Sequence, residues 1–152
     1  MSSIQPGDPA TFKLGVVVIT HGQLAAELVN AAEMIVGELP LFSAVSIGWH
    51  DDADSAREAI GHAIERVRGE GGVLLLTDMF GGTPTNLALT YLDPGRVEVV
   101  TGVNLPMLIK LASLRSSADM LVAARELRQH GRHAIWVASD LVSGRPDAER
   151  ED

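Results

Sequence analysis

The sequence predicts an α/β fold, a three-layer sandwich in which helices flank a central, mostly parallel sheet of five strands. Three observations carry this reading. The runs Leu14-Gly15-Val16-Val17-Val18-Ile19-Thr20 and Val73-Leu74-Leu75-Leu76-Thr77 are short and free of charge. They show no polar alternation, as expected of strands buried on both faces of a parallel sheet. Such runs alternate with stretches whose apolar residues recur at helical spacing, which is the pattern of strand–helix–strand units. Finally, 152 residues suit one domain with a substantial core. With 46% hydrophobic but only 4% aromatic residues, that core must be mainly Leu, Val, Ile and Ala.

Taken in order, residues 1–12 carry Pro6, Gly7 and Pro9 and read as a loose leader. The first strand ends in Thr20-His21-Gly22. Leu24, Leu28, Ala31, Ala32 and Ile35 then mark a helix that Gly37 is placed to end. Leu41 to Ile47 is a second strand. Ser55-Ala56-Arg57-Glu58 fits a capping box, and Ala56, Ile60, Ala63, Ile64 and Val67 form one stripe of the helix behind it. The third strand, Val73 to Thr77, leads to a helix from Pro84 to about Leu92. A fourth strand covers Val97 to Thr101. Asn104 is placed to cap a helix reaching about Leu114. Ser117 is placed to cap another, with Leu121, Ala124 and Leu127 inward and Gly131 as its stop. His133 to Ala138, including Trp136, reads as the fifth strand. The domain thus covers residues 13–140, with 141–152 a frayed tail. The sequence contains no internal repeat and no linker to a second domain.

The composition excludes several classes. Without cysteine there is no disulfide, thiol catalysis or Cys-based zinc site. A net charge of −8 argues against nucleic acid and anionic membranes as partners, since both demand a basic face. No apolar run approaches the ~20 residues of a membrane span. The N-terminus has neither the basic nor the apolar region of a signal peptide, so the expected location is the cytoplasm.

Chemistry converges on three turns. His21 follows the first strand and so stands at the carboxyl edge of the sheet, where ligands of open α/β sheets collect. A lone histidine there can simply end a strand. Asp78 follows the third strand at the same edge. Gly81-Gly82 makes a bend free of side chains, with Thr83 placed as N-cap and Pro84 at the first helical position. Glycines feeding a helix N-terminus offer unpaired N–H groups and a positive dipole end, a ready site for a phosphoryl group. The third turn is Thr101-Gly102-Val103-Asn104-Leu105-Pro106-Met107. A carboxylate accepting Nδ1–H of His21 would fix the tautomer and leave Nε2 as nucleophile. The same carboxylate would stabilise the ring once Nε2 is bonded to phosphorus.

These stretches, Val-Val-Val-Ile-Thr-His-Gly, Thr-Asp-Met-Phe-Gly-Gly-Thr-Pro-Thr-Asn and Gly-Val-Asn-Leu-Pro-Met-Leu, resemble the mannose-type EIIA domain of the bacterial sugar phosphotransferase system in order and spacing. The resemblance spans about residues 13–140. It implies that His21 is phosphorylated on Nε2 by the carrier protein HPr, and that Asp78 pairs with the other ring nitrogen. It further implies that Thr83, with Gly81 and Gly82, contacts the phosphoryl group and that Phe80, Asn104 and Met107 lie at the rim. The implied fold is commonly dimeric, its last strand exchanged between subunits and able to run antiparallel. Transporter forms often continue through a linker into an EIIB domain, whereas this chain ends in a short tail. The expected acceptor is therefore an EIIB protein in trans, near a membrane permease, with no cofactor and no metal. Two other readings compete. One is a regulatory module whose phosphorylation state controls a partner without sugar transport. The other is a phosphoryl donor of the dihydroxyacetone-kinase type.

Of the remaining histidines, His130 and His133 have the spacing of a metal pair, but Gly131 is expected to break the helix between them. His50-Asp51-Asp52 lies in the loop after the second strand, where it borders the site or caps the next helix. His62 reads as a surface residue.

Overall fold

A computed structural model of the chain describes residues 14–114 and 119–144. The expected leader lies outside the described residues, as does the tail from residue 145 onward. Four parallel strands, β1 (Leu14–His21), β2 (Phe42–Ile47), β3 (Gly72–Thr77) and β4 (Val97–Thr101), form one sheet in the order β2-β1-β3-β4. Six helices complete the described chain: α1 (Leu24–Val36), α2 (Ala53–Val67), α3 (Gly82–Leu89), α4 (Leu105–Leu114), α5 (Met120–His133) and α6 (Ala138–Val142).

Because successive strand residues point to opposite faces, each strand feeds two cores. Val16, Val18, Leu74 and Leu76 pack with Ala25 and Val29 of α1, Leu108 and Leu111 of α4 and Leu127 of α5. Val17, Ile19, Val73 and Leu75 pack on the other face with Ile60, Ala63 and Ile64 of α2 and Ala88 of α3. Burying one such side chain is worth about 1.5–3 kcal/mol, so the central strands hold the architecture. Gly15 is required by this packing, since a Cβ there would run into the carbonyl of Val67 at the end of α2.

The strand order matters for the site. From β1 the chain crosses by α1 to β2 on one side, and from β3 it crosses by α3 to β4 on the other. Connections that leave two neighbouring strands in opposite directions open a crevice between their carboxyl ends. His21 ends β1 and Asp78 follows β3, so both stand at that crevice.

Several expectations need correction. The sheet of the described chain has four strands, not five. His133 belongs to α5, Ala134 caps that helix, and Ala138 opens α6, leaving only Ile135 to Val137 as a connection. Gly131 does not stop α5. It is buried inside the helix, where a Cβ would lie 2.7 Å from Cγ and Sδ of Met107. The small residue is there for close packing, and the longer helix consumes the start of the expected strand. Helix α2 begins at Ala53 with Asp52, not the expected Ser55, as its N-cap: the Asp52 carboxylate accepts from Ser55 N (3.1 Å) and Ser55 Oγ (3.2 Å). Helix α3 begins at Gly82 with Gly81 before it, so Thr83 is its second residue and not its cap. Asp119 caps α5 by accepting from Val122 N at 3.1 Å; the expected cap, Ser117, lies outside the described residues. Asn104 caps α4 as expected, accepting from Met107 N at 3.1 Å.

Candidate functional site

The end of β1 is shaped by Thr20. Its buried hydroxyl accepts from Ala25 N (2.7 Å), which closes the first turn of α1, and donates to the carbonyl of His21 (3.2 Å). The turn after β3 is held the same way from inside. Thr85 Oγ1 donates to the Met79 carbonyl (2.5 Å) and lies 2.7 Å from Thr77 Oγ1. These buried hydroxyls fix the two turns that carry His21 and Asp78.

Between them the sequence-predicted pair forms. His21 Nδ1 lies 2.8 Å from Asp78 Oδ2, and the backbone N–H of His21 donates to the same oxygen at 3.0 Å. The imidazole is half exposed, whereas only 13% of the Asp78 side chain is accessible. Burial alone would raise the Asp78 pKa. The hydrogen bonds from the ring and backbone of His21, and the proximity of the ring, outweigh that and hold the carboxyl below its ordinary value of 3.8. An ionised carboxylate only accepts, so Nδ1 carries a proton, and in the neutral ring the lone pair is then on Nε2. The other carboxylate oxygen, Oδ1, is buried and has no hydrogen-bond partner among the described residues.

Nε2 faces the start of α3. A Cβ at Gly82 would lie 3.2 Å from Cε1 and 3.3 Å from Nε2 of His21, so the missing side chain is what leaves room beside that nitrogen. Gly81 (φ 86°) and Gly82 (φ 82°) both occupy the left-handed region, where glycine alone is unstrained. No side chain caps this helix, so its first N–H groups remain available to an anion.

Thr83 lines the cleft into which His21 opens, together with Ile47, Trp49 and Asp51. The pairing of His21 with Ile47 in the β1–β2 register brings the loop after β2 there. Trp49, 95% exposed at the cleft wall, was not singled out from the sequence. Its position directly after β2, the neighbour of β1, is the signal that could have found it. The expected rim residues separate. Phe80 is exposed but lines a groove along β4 with Val99 and Leu121. Met107 is buried against Gly131, and Asn104 Nδ2 donates to the Gly131 carbonyl at 3.1 Å. These two tie α4 to α5. Among the described residues, no group of three or more His, Asp or Glu is placed to hold a metal ion, and no helix is long and apolar enough to cross a membrane.

Known proteins resemble this chain in sequence and fold. The family model EIIA-man, described as "PTS system fructose IIA component", matches residues 15–127. The "PTS system fructose-specific EIIA component" of Bacillus subtilis (strain 168) is 29% identical over 128 residues, covering 84% of this chain and 88% of that protein. The "PTS system mannose-specific EIIAB component" of Escherichia coli (strain K12) is 34% identical over 132 residues, covering 80% of this chain but only 39% of that longer relative. A solved structure, the "Mannose/sorbose specific IIA subunit of phosphotransferase system" from Enterococcus faecalis, superposes with a TM-score of 0.74 at 29% identity, covering 82% of this chain and 94% of that one. The chain belongs to the EIIA-man family of the phosphotransferase system.

Proposed function

We propose that the protein is a phosphohistidine carrier that accepts a phosphoryl group on Nε2 of His21 from phospho-HPr and passes it in trans to an EIIB protein. The observation that supports this most directly is the 2.8 Å contact of Nδ1 with Asp78 Oδ2, which leaves Nε2 as the lone-pair nitrogen beside Gly82. On transfer, the Nε2 lone pair forms the N–P bond and the bond from phosphorus to the donor's nitrogen breaks, returning its electron pair to the donor. The His21 ring gains positive charge, and Asp78 offsets it through the Nδ1–H bond. The N–H groups opening α3, with the Thr83 hydroxyl, hold the phosphoryl oxygens. The class is phosphotransferase, working in the cytoplasm as a covalent relay.

The carrier reading includes a homodimer. The outer edge of β4 is a sheet edge, and an unprotected edge invites another strand. Ile135 (71%) and Val137 (64%) are exposed on the segment after α5, of a size to supply that strand from a second copy. Sedimentation at micromolar concentration should give twice the 16.1 kDa chain mass, and a single-chain species would reject the dimer.

Labelling from phospho-HPr tests the relay. Wild type should acquire acid-labile, base-stable phosphate that leaves on addition of an EIIB protein of the mannose type. Absence of label overturns the reading, whereas label that no EIIB protein removes would favour a regulatory module.

A further inference from the structure

We propose that Asp51 sets how readily His21 gives up its phosphoryl group, by repelling that group across the cleft. The inference rests on the carrier reading above and adds a residue to it. Asp51 and His21 line the same cleft, and among the described residues no lysine or arginine lines it. The Asp51 carboxylate does not swing freely. Its Oδ2 accepts from Gly48 N (2.5 Å), and its own N–H donates to the Gly48 carbonyl (3.2 Å). A Cβ at Gly48 would lie 3.3 Å from both Asp51 oxygens, so the bare glycine lets the carboxylate fold down on its own loop. Among the described residues Asp51 takes part in no ion pair; the two pairs are His21–Asp78 and Arg68–Glu65.

A phosphoryl group on a side chain carries about two negative charges at neutral pH. Once on Nε2 it would meet the positive end of α3 on one side and the fixed charge of Asp51 on the other. The helix end favours arrival and the carboxylate favours departure. A carrier must do both, since a phosphoryl group bound too well would stay. On departure the Nε2–P bond breaks, its electron pair returns to Nε2, and phosphorus bonds to the incoming nucleophile. With water as nucleophile, the products are inorganic phosphate and neutral His21. Asp51 acts on the phosphoryl charge and touches no other reacting atom, so its effect must fall with ionic strength.

The test uses phosphoramidate, which phosphorylates histidine with release of ammonia and needs no protein donor. Wild type, Asp51→Asn and Asp52→Asn are phosphorylated, and loss of acid-labile phosphate from the His21 peptide, with His21→Ala as the blank for the other histidines, is followed in mildly alkaline buffer at low and high salt. The amide oxygen of Asp51→Asn can still accept from Gly48 N; Asp51→Ser is a second variant that removes the charge with a smaller polar side chain. Asp52→Asn makes the same change in net charge outside this cleft and keeps a good helix cap. Both Asp51 variants should hold phosphate about 3- to 10-fold longer at low salt, with the gap falling below about twofold at high salt. The Asp52 variant should stay within about twofold of wild type throughout. Equal lifetimes for Asp51→Asn and wild type would overturn the proposal. So would an equal effect of Asp52→Asn, or an effect that salt leaves unchanged. If His21 takes up phosphate from neither phosphoramidate nor phospho-HPr, the carrier reading itself fails.

Discussion

One oxygen of Asp78 receives two hydrogen bonds from one residue, His21, through its ring Nδ1 and its backbone N–H. The carboxylate thereby ties the end of β3 to the end of β1 while setting the ring's orientation. Ring and strand are held by a single acceptor, so their contributions separate in different variants.

His21→Ala removes the nucleophile but keeps the backbone donor. Labelling from phospho-HPr should disappear. The lost side chain is half exposed, and Asp78 retains its backbone bond, so thermal stability should change by less than about 1 kcal/mol. Wild-type labelling of this variant would exclude His21 as the acceptor.

Asp78→Asn should label, but slowly. An amide oxygen can accept both His21 N–H groups, yet it cannot offset the charge that develops on the ring. Loss of a stabilising interaction of about 3–4 kcal/mol slows a step by roughly a hundred- to a thousandfold. The amide NH2 would then occupy the place of the buried, unpartnered Oδ1. Burying an unsatisfied donor costs about 1–3 kcal/mol, which denaturant unfolding can read. A wild-type transfer rate would remove Asp78 from the mechanism.

Gly81→Ala and Gly82→Ala form a matched pair. Both positions have positive φ, so each substitution should lower stability by about 1–3 kcal/mol. Only at position 82 would the methyl group stand beside Nε2, whereas a Cβ at Gly81 meets nothing within 4 Å. Initial labelling rates should therefore fall much further for Gly82→Ala. Equal rates in the two variants would show that the space beside Nε2 is not used.

The Asp78–His21 contact also predicts a pH dependence. The folded-state pKa of Asp78 lies below the unfolded value near 3.8, so protons bind the unfolded chain more readily. Its contribution to stability is complete above that unfolded value and is lost as pH falls through the lower folded pKa. Wild type should lose more stability than Asp78→Asn on acidification across this range, as followed by thermal melts. Parallel losses would mean that the carboxylate gains nothing from His21 on folding.

Much of the site was legible because it depends on where strands end. Apolar runs closed by Thr20-His21 and Thr77-Asp78 place a histidine and an aspartate at one sheet edge, and a parallel sheet admits few other arrangements. Helix starts were less legible, because Asp52 and Gly81 compete with Ser55 and Thr83 for neighbouring cap positions and propensity barely separates them. The expected fifth strand failed for a different reason. Apolar residues at 133–138 describe a segment that wants burial, but a strand also needs a ladder partner, which composition does not specify. Gly131 misled in the same region, since a glycine that ends a helix and one that admits Met107 look alike in sequence. Trp49 escaped notice because its importance comes only from the β1–β2 register.

That register has a consequence for folding as well. His21 is itself paired with Ile47 on one side, and on the other it lies two residues past Ile19, whose partner Thr77 directly precedes Asp78. A strand advances about 3.3 Å per residue, so sliding β1 by two positions keeps every side chain on its proper face but carries the imidazole about 6.6 Å from the carboxylate. A compact state with native helices, native strand content and a loosened sheet would keep its far-ultraviolet spectrum and lose the ability to take up phosphate. On the carrier reading, phosphate uptake would thus be a molecular ruler for strand alignment, sensitive to a misfolding that bulk spectroscopy would pass as native.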